Sequence, residues 1–357
     1  MSLILGIEST CDETAAAVVR DGVEVLSNAV ATQFDLHAKF RGVVPEIASR
    51  AHIENLLPVI SEALNAAGVG LREVDAIAAA HRPGLIGSLL IGVTAAKSLA
   101  WALKKPLLAV DHVQAHLYSV ILRHTAAGRG DQPPGAGNEP PMPDWPAVGM
   151  VISGGHTALY RIRGWLDIGL LGATMDDAVG EAYDKVAAML GLPFPGGPEI
   201  DRLADAGDPG ALDLPRPLLE PDSLDFSFSG LKTAVRYRVF GYQGRERSVA
   251  DLSPGEIAGI AASFQAACID TLLEKVRRAV RRFQARSVII GGGVSANRGL
   301  RRAISTLPVR VYIPEPSFCT DNAAMIAGLG HVLWSAGREA SLDLDAITQS
   351  EVRRVAS

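Results

Sequence analysis

The same run of strand, polar turn and strand opens each half of this chain, and no other feature narrows the possible folds as much. Residues 2–8 are apolar and β-prone, 9–13 are polar and turn-like, and 14–19 resume as a strand. Residues 147–161 repeat that grammar around a Ser-Gly-Gly-His-Thr turn. The two openings share topology rather than residues, which predicts a duplicated α/β architecture. After the first opening, Arg20-Asp21-Gly22 predicts a tight turn into a third strand at 23–26. Helical spacing over 45–66 leads to a strand at 74–80 and a long apolar helix over 84–103. In the second half the clearest helix runs from 254 to about 286. Ser253 and Glu256 make a capping box, Pro254 takes the first helical position, and apolar residues recur every three or four positions. A strand at 287–290 ends in three glycines, and a last helix is expected from 321 to about 336.

Composition bounds the function. With 357 residues, 48% of them hydrophobic, the chain can build two cores without staples. Cys11, Cys268 and Cys319 are too few and too scattered for a disulfide framework or a CxxC zinc site, which points to a reducing compartment. No signal peptide is expected at the start. The helix over 84–103 approaches spanning length, yet it carries Lys97, two serines and three glycines, so a buried helix is expected and no membrane association. A net charge of -5 argues against gripping nucleic acid with the whole surface. RNA contact would need a local patch or a partner protein; Arg277, Arg278, Arg281, Arg282 and Arg286 form one basic run, which is as well explained by a solvated helix face. The Gly/Pro-rich stretch 124–145 is too poor in apolar residues to fold alone and reads as a mobile loop or linker.

Chemistry enters through His112-Val-Gln-Ala-His116. On a helix, imidazoles at i and i+4 share one face and suit a single metal ion. Val113 stands where a zinc peptidase needs its general-base glutamate, which argues against peptide hydrolysis. Asp321 is the best third ligand, although a carboxylate at the expected N-cap of the last helix has a plain structural role as well. Two imidazoles and a carboxylate leave open positions and suit iron or zinc about equally. Three turns that follow strands, at 8–14, 153–157 and 291–297, offer backbone N–H groups to phosphates. Each alone is weak, but three in order suggest a nucleotide cleft. Asp184 and Lys185 read as a solvated charged face, and residues 225–232 as a half-buried strand.

With those residues in place, the chain resembles the universal tRNA adenosine threonylcarbamoyltransferase family, formerly known as the O-sialoglycoprotein endopeptidase family. GIESTCDET, PGLIGSLLIG, HVQAH, VISGGHT, DDAVGEAYDKVAAMLGLPFPGGP, DFSFSGLKTAV, GGGVSANR and CTDNAAMIA are collinear and span nearly the whole chain. The resemblance implies an α/β, two-lobed actin-like fold of the kind shared by chaperone ATPases and sugar kinases (ASKHA), with duplicated ribonuclease-H-like domains. One lobe would hold 1–123 and a C-terminal helix at 321–357, a loop or linker would span 124–147, and the other lobe would hold 148–320, with the nucleotide cleft between lobes.

The implied activity is transfer of a threonylcarbamoyl group from threonylcarbamoyl-AMP to N6 of adenosine 37 in tRNAs that read codons beginning with A. His112, His116 and Asp321 would hold one divalent metal, Fe2+ first and Zn2+ second. Val151, Ile152, Ser153, Gly154, Gly155, Asp184, Gly197 and Asn297 would bind the substrate nucleotide, and Glu13 with Asp12 would be catalytic carboxylates. The implied partners are tRNA, a paralogous subunit of the same actin-like fold and a small P-loop ATPase, in the cytoplasm. Arg82 departs from the glycine the family often places before Pro83-Gly84, and the loop at 124–145 is longer than usual. The competing readings are an ATP-dependent kinase or ATPase of the same fold and a nucleotide-switched binding protein. Paired histidines with Asp321 speak against the kinase, and the binding protein would tolerate loss of His112.

Overall fold

The computed structural model describes residues 1–40, 42–125, 142–217, 220, 222–241 and 247–355. The chain divides into one unit of Met1–Met142 with Pro314–Glu351 and another of Pro143–Ile313 with Val352–Ser357. The stretch expected to be a mobile loop lies, over 126–141, outside the described residues.

In the first unit, β1 (Leu3–Glu8), β2 (Glu13–Arg20) and β3 (Glu24–Thr32) form an antiparallel meander. The short helix α1 (Phe34–Ala38) and the long α2 (Pro45–Ala67) lead to β4 (Ala76–Arg82). Helix α3 (Ile86–Leu103), β5 (Leu107–Asp111), α4 (His112–Tyr118) and β6 (Arg123–His124) complete the run. The sheet order is β5-β4-β1-β2-β3-β6, with β4 parallel to β1 and β5 parallel to β4. Parallel pairing puts the carboxyl ends of β1, β4 and β5 on one edge of the sheet, the edge where open α/β sheets hold ligands.

In the second unit β7 (Ala147–Ile152), β8 (Thr157–Gly164) and β9 (Asp167–Ala173) form another antiparallel meander. Four helices follow, α5 (Val179–Met189), α6 (Gly196–Ala204), α7 (Ser229–Phe240) and α8 (Pro254–Phe283). Then come β10 (Ser287–Gly291), α9 (Arg298–Ile304) and β11 (Arg310–Tyr312). The order β11-β10-β7-β8-β9, with β10 parallel to β7 and β11 parallel to β10, repeats the first five strands of the other unit one for one. The duplication expected from the two openings is therefore a property of the fold.

Local signals account for several boundaries. Glu256 N–H donates to Ser253 Oγ at 3.3 Å while Ser253 N–H donates to Glu256 Oε2 at 2.9 Å, closing the expected capping box of α8. This helix ends at Phe283, short of 286, because Gln284 turns left-handed at φ 48°. Both α3 and α8 are long and apolar enough to cross a membrane by length and composition alone. Burial explains α8, whose most apolar stretch is 78% buried, so its apolar residues form core. Helix α3 corrects the expectation of a buried helix. Only the side bearing Leu89, Val93, Ala96 and Ala100 is covered, leaving Ile86, Leu90 and Trp101 exposed.

The last helix, α10 (Ala323–Ser335), ends where its apolar spacing placed it, near 336, and does not run to 357 as the lobe assignment had it. Gly337 turns left-handed at φ 68°, and the chain then runs as irregular strap: Ala340 N–H donates to Leu107 O and Ile347 N–H to His81 O. Helix α10 packs directly on β1 at Gly6, where a Cβ would stand 2.8 Å from Ala327 N and closer still to Ala323 O. Only a glycine admits that approach. It brings the start of α10 to the carboxyl end of β1.

Candidate metal centre

Strand β5 ends in Asp111, whose Oδ1 accepts the N–H groups of Val113 at 3.0 Å and Gln114 at 3.1 Å. That cap starts α4 at His112, so the helical turn carrying both imidazoles is set at the edge of the sheet. His112 and His116 lie one turn apart on α4 with ring centroids 4.6 Å apart and planes at 80°. Both are buried.

Asp321 arrives from the other end of the first unit's sequence, just before α10. Its expected role as N-cap is corrected: Asn322 caps the helix, its Oδ1 accepting Met325 N–H at 3.0 Å. Asp321 instead turns to the histidines, with Oδ1 3.1 Å from His116 Nε2 and 3.6 Å from His112 Nε2. Ligand atoms of His112, His116 and Asp321 all lie within 4.8 Å of one another, so one ion can reach all three.

Around these ligands the first turn, between β1 and β2, is acidic. Glu8 Oε2 accepts from His112 Nδ1 at 2.9 Å, and Glu8 Oε1 accepts Thr10 N–H at 2.6 Å. Burial, with Asp321 next, pushes the Asp12 carboxyl up from its ordinary value. Burial again, then Asp321 and Asp12, pushes Glu13 well above the carboxylate range. Cys11 is pushed up by burial and then by Asp12 and Asp321, so it is an inert thiol. Burial alone would depress His112, but Glu8 and Asp321 outweigh it and lift this imidazole to about 9. His116 goes the other way, lowered by burial against the pull of Asp321.

Burial first, and the negative charge of Asp321 second, make the ionised forms of Asp12 and Glu13 costly here. A divalent cation would relieve that cost. His112 already presents Nε2, because Nδ1 is engaged by Glu8, and His116 Nδ1 is buried with no hydrogen-bond partner among the described residues. The donor set of two nitrogens and one carboxylate oxygen fits a transition metal with positions left open. The expectation that turn 8–14 cradles a phosphate fits less well. Its Thr10 amide is spent on Glu8, and its side chains suit a cation.

In the second unit Val151 to Gly155, expected to bind nucleotide, lie at the carboxyl end of β7 and in the turn after it. Val151 and Ile152 are buried within the strand. The turn after them closes on itself, Ser153 N–H donating to His156 O at 2.8 Å and His156 N–H to Ser153 Oγ at 3.1 Å. Nothing stands within 4 Å of where Cβ atoms would be on Gly154 and Gly155, so their backbone is open to a ligand. Gly180 of α5 and Gly292 after β10 approach Ser153 O and Ile152 O so closely that a Cβ would collide with either. Three loops thus meet at one strand end. Asp184 accepts Gly196 N–H at 2.7 Å and so braces the turn containing Gly197, rather than lying on a solvated face. Asn297 caps α9 through Leu300 N–H at 2.8 Å and donates to Gln265 at 2.7 Å.

Two further expectations change here. Residues 225–232 are not a strand: after a single bridge from Thr174 to Phe226 the chain enters α7 at Ser229. Asp176 holds that helix start, accepting from Ser227 Oγ, Ser229 Oγ and Phe228 N–H at 2.5, 2.7 and 2.8 Å. In the basic run, Arg278 pairs with Glu274 at 3.0 Å and Arg282 donates to Asp222 O at 3.3 Å. Missed by sequence reasoning were Glu8 and Thr10 as the groups that orient His112. The only available signal was their place at a strand end, which says nothing about which helix they meet.

A family model described as TsaD, tRNA N6-adenosine threonylcarbamoyltransferase, matches residues 24–328. A protein of Symbiobacterium thermophilum named tRNA N6-adenosine threonylcarbamoyltransferase is 50% identical over 349 residues, covering 97% of this chain and 95% of its own. Its namesake in Thermomicrobium roseum is 50% identical over 357 residues, covering 96% and 95%. Among solved structures, HypF from T. kodakarensis superposes with a TM-score of 0.58 at 16% identity, covering 96% of this chain and 49% of that one. An activator of 2-hydroxyisocaproyl-CoA dehydratase from Clostridium difficile gives 0.52 at 10% identity, covering 94% and 97%. At such identities the structures speak for the fold alone, which is the two-lobed actin-like class.

Proposed function

The chain belongs to the tRNA N6-adenosine threonylcarbamoyltransferase family, and from that premise we propose how its own residues carry the reaction. It transfers the threonylcarbamoyl group of threonylcarbamoyl-AMP to N6 of adenosine 37 in tRNAs reading codons that begin with A. The observation that carries the reading is the convergence of His112, His116 and Asp321 on one ion-sized space.

The donor is a mixed anhydride, so AMP is a good leaving group and the chain need not activate it further. What remains is to orient a weak aromatic amine against the carbonyl, to stabilise the oxyanion and to keep water out. His112, His116 and Asp321 hold the divalent metal, for which we favour Fe2+ over Zn2+; when bound it supplies Lewis-acid polarisation and open positions for the donor. As the N6–C bond forms, the bond from the carbonyl carbon to the phosphate oxygen breaks and AMP departs. The proton lost from N6 passes to the Asp12–Glu13 pair, whose raised carboxyl values bring it nearer the range useful for general acid–base work. We assign the donor's nucleotide to Val151–Gly155, Asp184, Gly197 and Asn297, on the strength of the open backbone at Gly154 and Gly155 and of the bond by which Asp184 holds Gly196 beside Gly197.

Beyond tRNA the enzyme acts with partner proteins, which we take to be a paralogous actin-like subunit and a small P-loop ATPase, in the cytoplasm. Helices α2 and α3 touch at Ser49 and Gly87 and expose Ile53 (66%), Leu57 (70%) and Trp101 (72%) along with Leu90. Apolar exposure on that scale suits a partner rather than water, and we assign this face to the paralogous subunit.

The test is mass analysis of the adenosine beside the anticodon in tRNA incubated with this chain, its partners, threonine, bicarbonate and ATP. Threonylcarbamoyl adenosine should form and should be lost with His112→Ala. Undiminished product with that variant, or phosphoryl transfer to a small hydroxyl compound in place of product, would overturn the reading.

A further inference from the structure

We infer that Glu8 is a positioning residue: by fixing the tautomer of His112 it sets the affinity of the centre for its metal. The inference rests on His112, His116 and Asp321 being the ligands, as proposed above.

Glu8 is the last residue of β1 and is fully buried, at 0% exposure. A carboxylate there is costly unless its oxygens are paired. Each has a partner, Oε1 in Thr10 N–H at 2.6 Å and Oε2 in His112 Nδ1 at 2.9 Å. Thr10 Oγ1 lies 3.2 Å from the same nitrogen. The Thr10 amide holds Glu8 from the rear, so the carboxylate is fixed before it meets the imidazole.

A carboxylate at that position can only accept. In the neutral form that binds metal, His112 must therefore carry its proton on Nδ1 and turn the lone pair of Nε2 outward, and Nε2 is the nitrogen 3.6 Å from Asp321 Oδ1. Carboxylate–histidine–metal arrangements of this kind fix ring orientation and raise ligand basicity, and losing the outer partner costs about 10- to 100-fold in metal affinity. The two histidines of the motif are unequal in this respect. His116 Nδ1 has no acceptor among the described residues, so that ring is held only by packing and by the contact of its Nε2 with Asp321. His112 is the anchored ligand, and Glu8 is what anchors it.

The experiment has two arms, both on the full chain. The first needs no variant: heteronuclear NMR of histidine-labelled protein loaded with Zn2+ reads which nitrogen of His112 bears the proton. A proton on Nδ1 with Nε2 bound to Zn2+ is expected; the reverse overturns the proposal. The second measures Zn2+ affinity by competition with a chromophoric chelator for wild type, Glu8→Gln, Glu8→Ala and His112→Ala. Glu8→Ala should weaken binding by about 10- to 100-fold, and Glu8→Gln, which keeps an acceptor but not the charge, by less. Affinities of both Glu8 variants within about twofold of wild type would overturn it. His112→Ala separates this from the assignment beneath it: Zn2+ binding that survives His112→Ala refutes the ligand set itself. Should Glu8→Ala fail to fold, the wild-type tautomer decides.

Discussion

His116 Nε2 lies 3.1 Å from Asp321 Oδ1 although 205 positions separate the two residues. The contact exists because the residue next to Asp321 took over a different task. Asn322 caps α10, which leaves the Asp321 carboxylate with no duty to the helix.

That division of labour predicts different losses for neighbouring substitutions. Asp321→Asn should fold normally but lose bound metal, read as metal per chain by elemental mass spectrometry, and lose tRNA modification with it. Asn322→Ala should keep its metal and lose about 1 kcal/mol of stability in urea unfolding. If Asn322→Ala strips the metal while Asp321→Asn keeps it, the assignment is backwards.

Burial, then Asp321 and Asp12, raise the Glu13 carboxyl well above its ordinary value, yet Glu13 is not within the ligand set. Glu13→Ala should therefore retain full metal content while transfer to adenosine falls by about 10²-fold or more. Normal turnover in that variant would remove Glu13 from the chemistry.

Leu57 lies on α2 with 70% of its surface exposed, so it contributes little to this chain's own core. Leu57→Asp should leave the melting temperature unchanged and weaken association with the paralogous subunit by about 30-fold, the scale of an interface anchor. Analytical ultracentrifugation of the mixture checks it, and unchanged association would move the interface elsewhere.

Acid stability should carry the mark of Asp176. Burial works to raise its carboxyl, but hydrogen bonds from Ser227, Ser229 and Phe228 N–H outweigh it and hold the group below its ordinary value. The unfolded carboxyl titrates near 3.9. Stability from this aspartate is thus present in full above about pH 4 and is lost as pH falls through the lower folded value. Urea unfolding should show Asp176→Asn less stable than wild type at neutral pH, with the gap closing as the solution is acidified. A gap independent of pH would show that the carboxylate's charge is not what holds α7.

Much of the fold was legible in local pattern. Strand alternation around two polar turns announced the duplication, and Ser253 with Glu256 marked where α8 begins, because a cap depends on residues three apart. Periodicity was a poorer guide to exposure. It identified α3 as an apolar helix without telling that Ile86, Leu90 and Trp101 would face outward, since covering a helix face is the work of whatever packs against it. Apolar spacing placed the end of the last helix near 336, close to Ser335, and only the lobe assignment drawn from the resemblance carried it on to 357, past the left-handed Gly337 that follows the helix.

The metal centre divides along the same line. Spacing of four residues on one helix was enough to put His112 and His116 side by side, because a helix turn is a local rule. Whether Asp321 caps or coordinates, and that Glu8 rather than solvent receives the proton face of His112, were fixed only when parallel β1 and β5 ended together and α10 settled against Gly6. Those contacts join residues about a hundred or more positions apart, and only chain packing, which balances the burial of charge against the partners it can find, chooses among them.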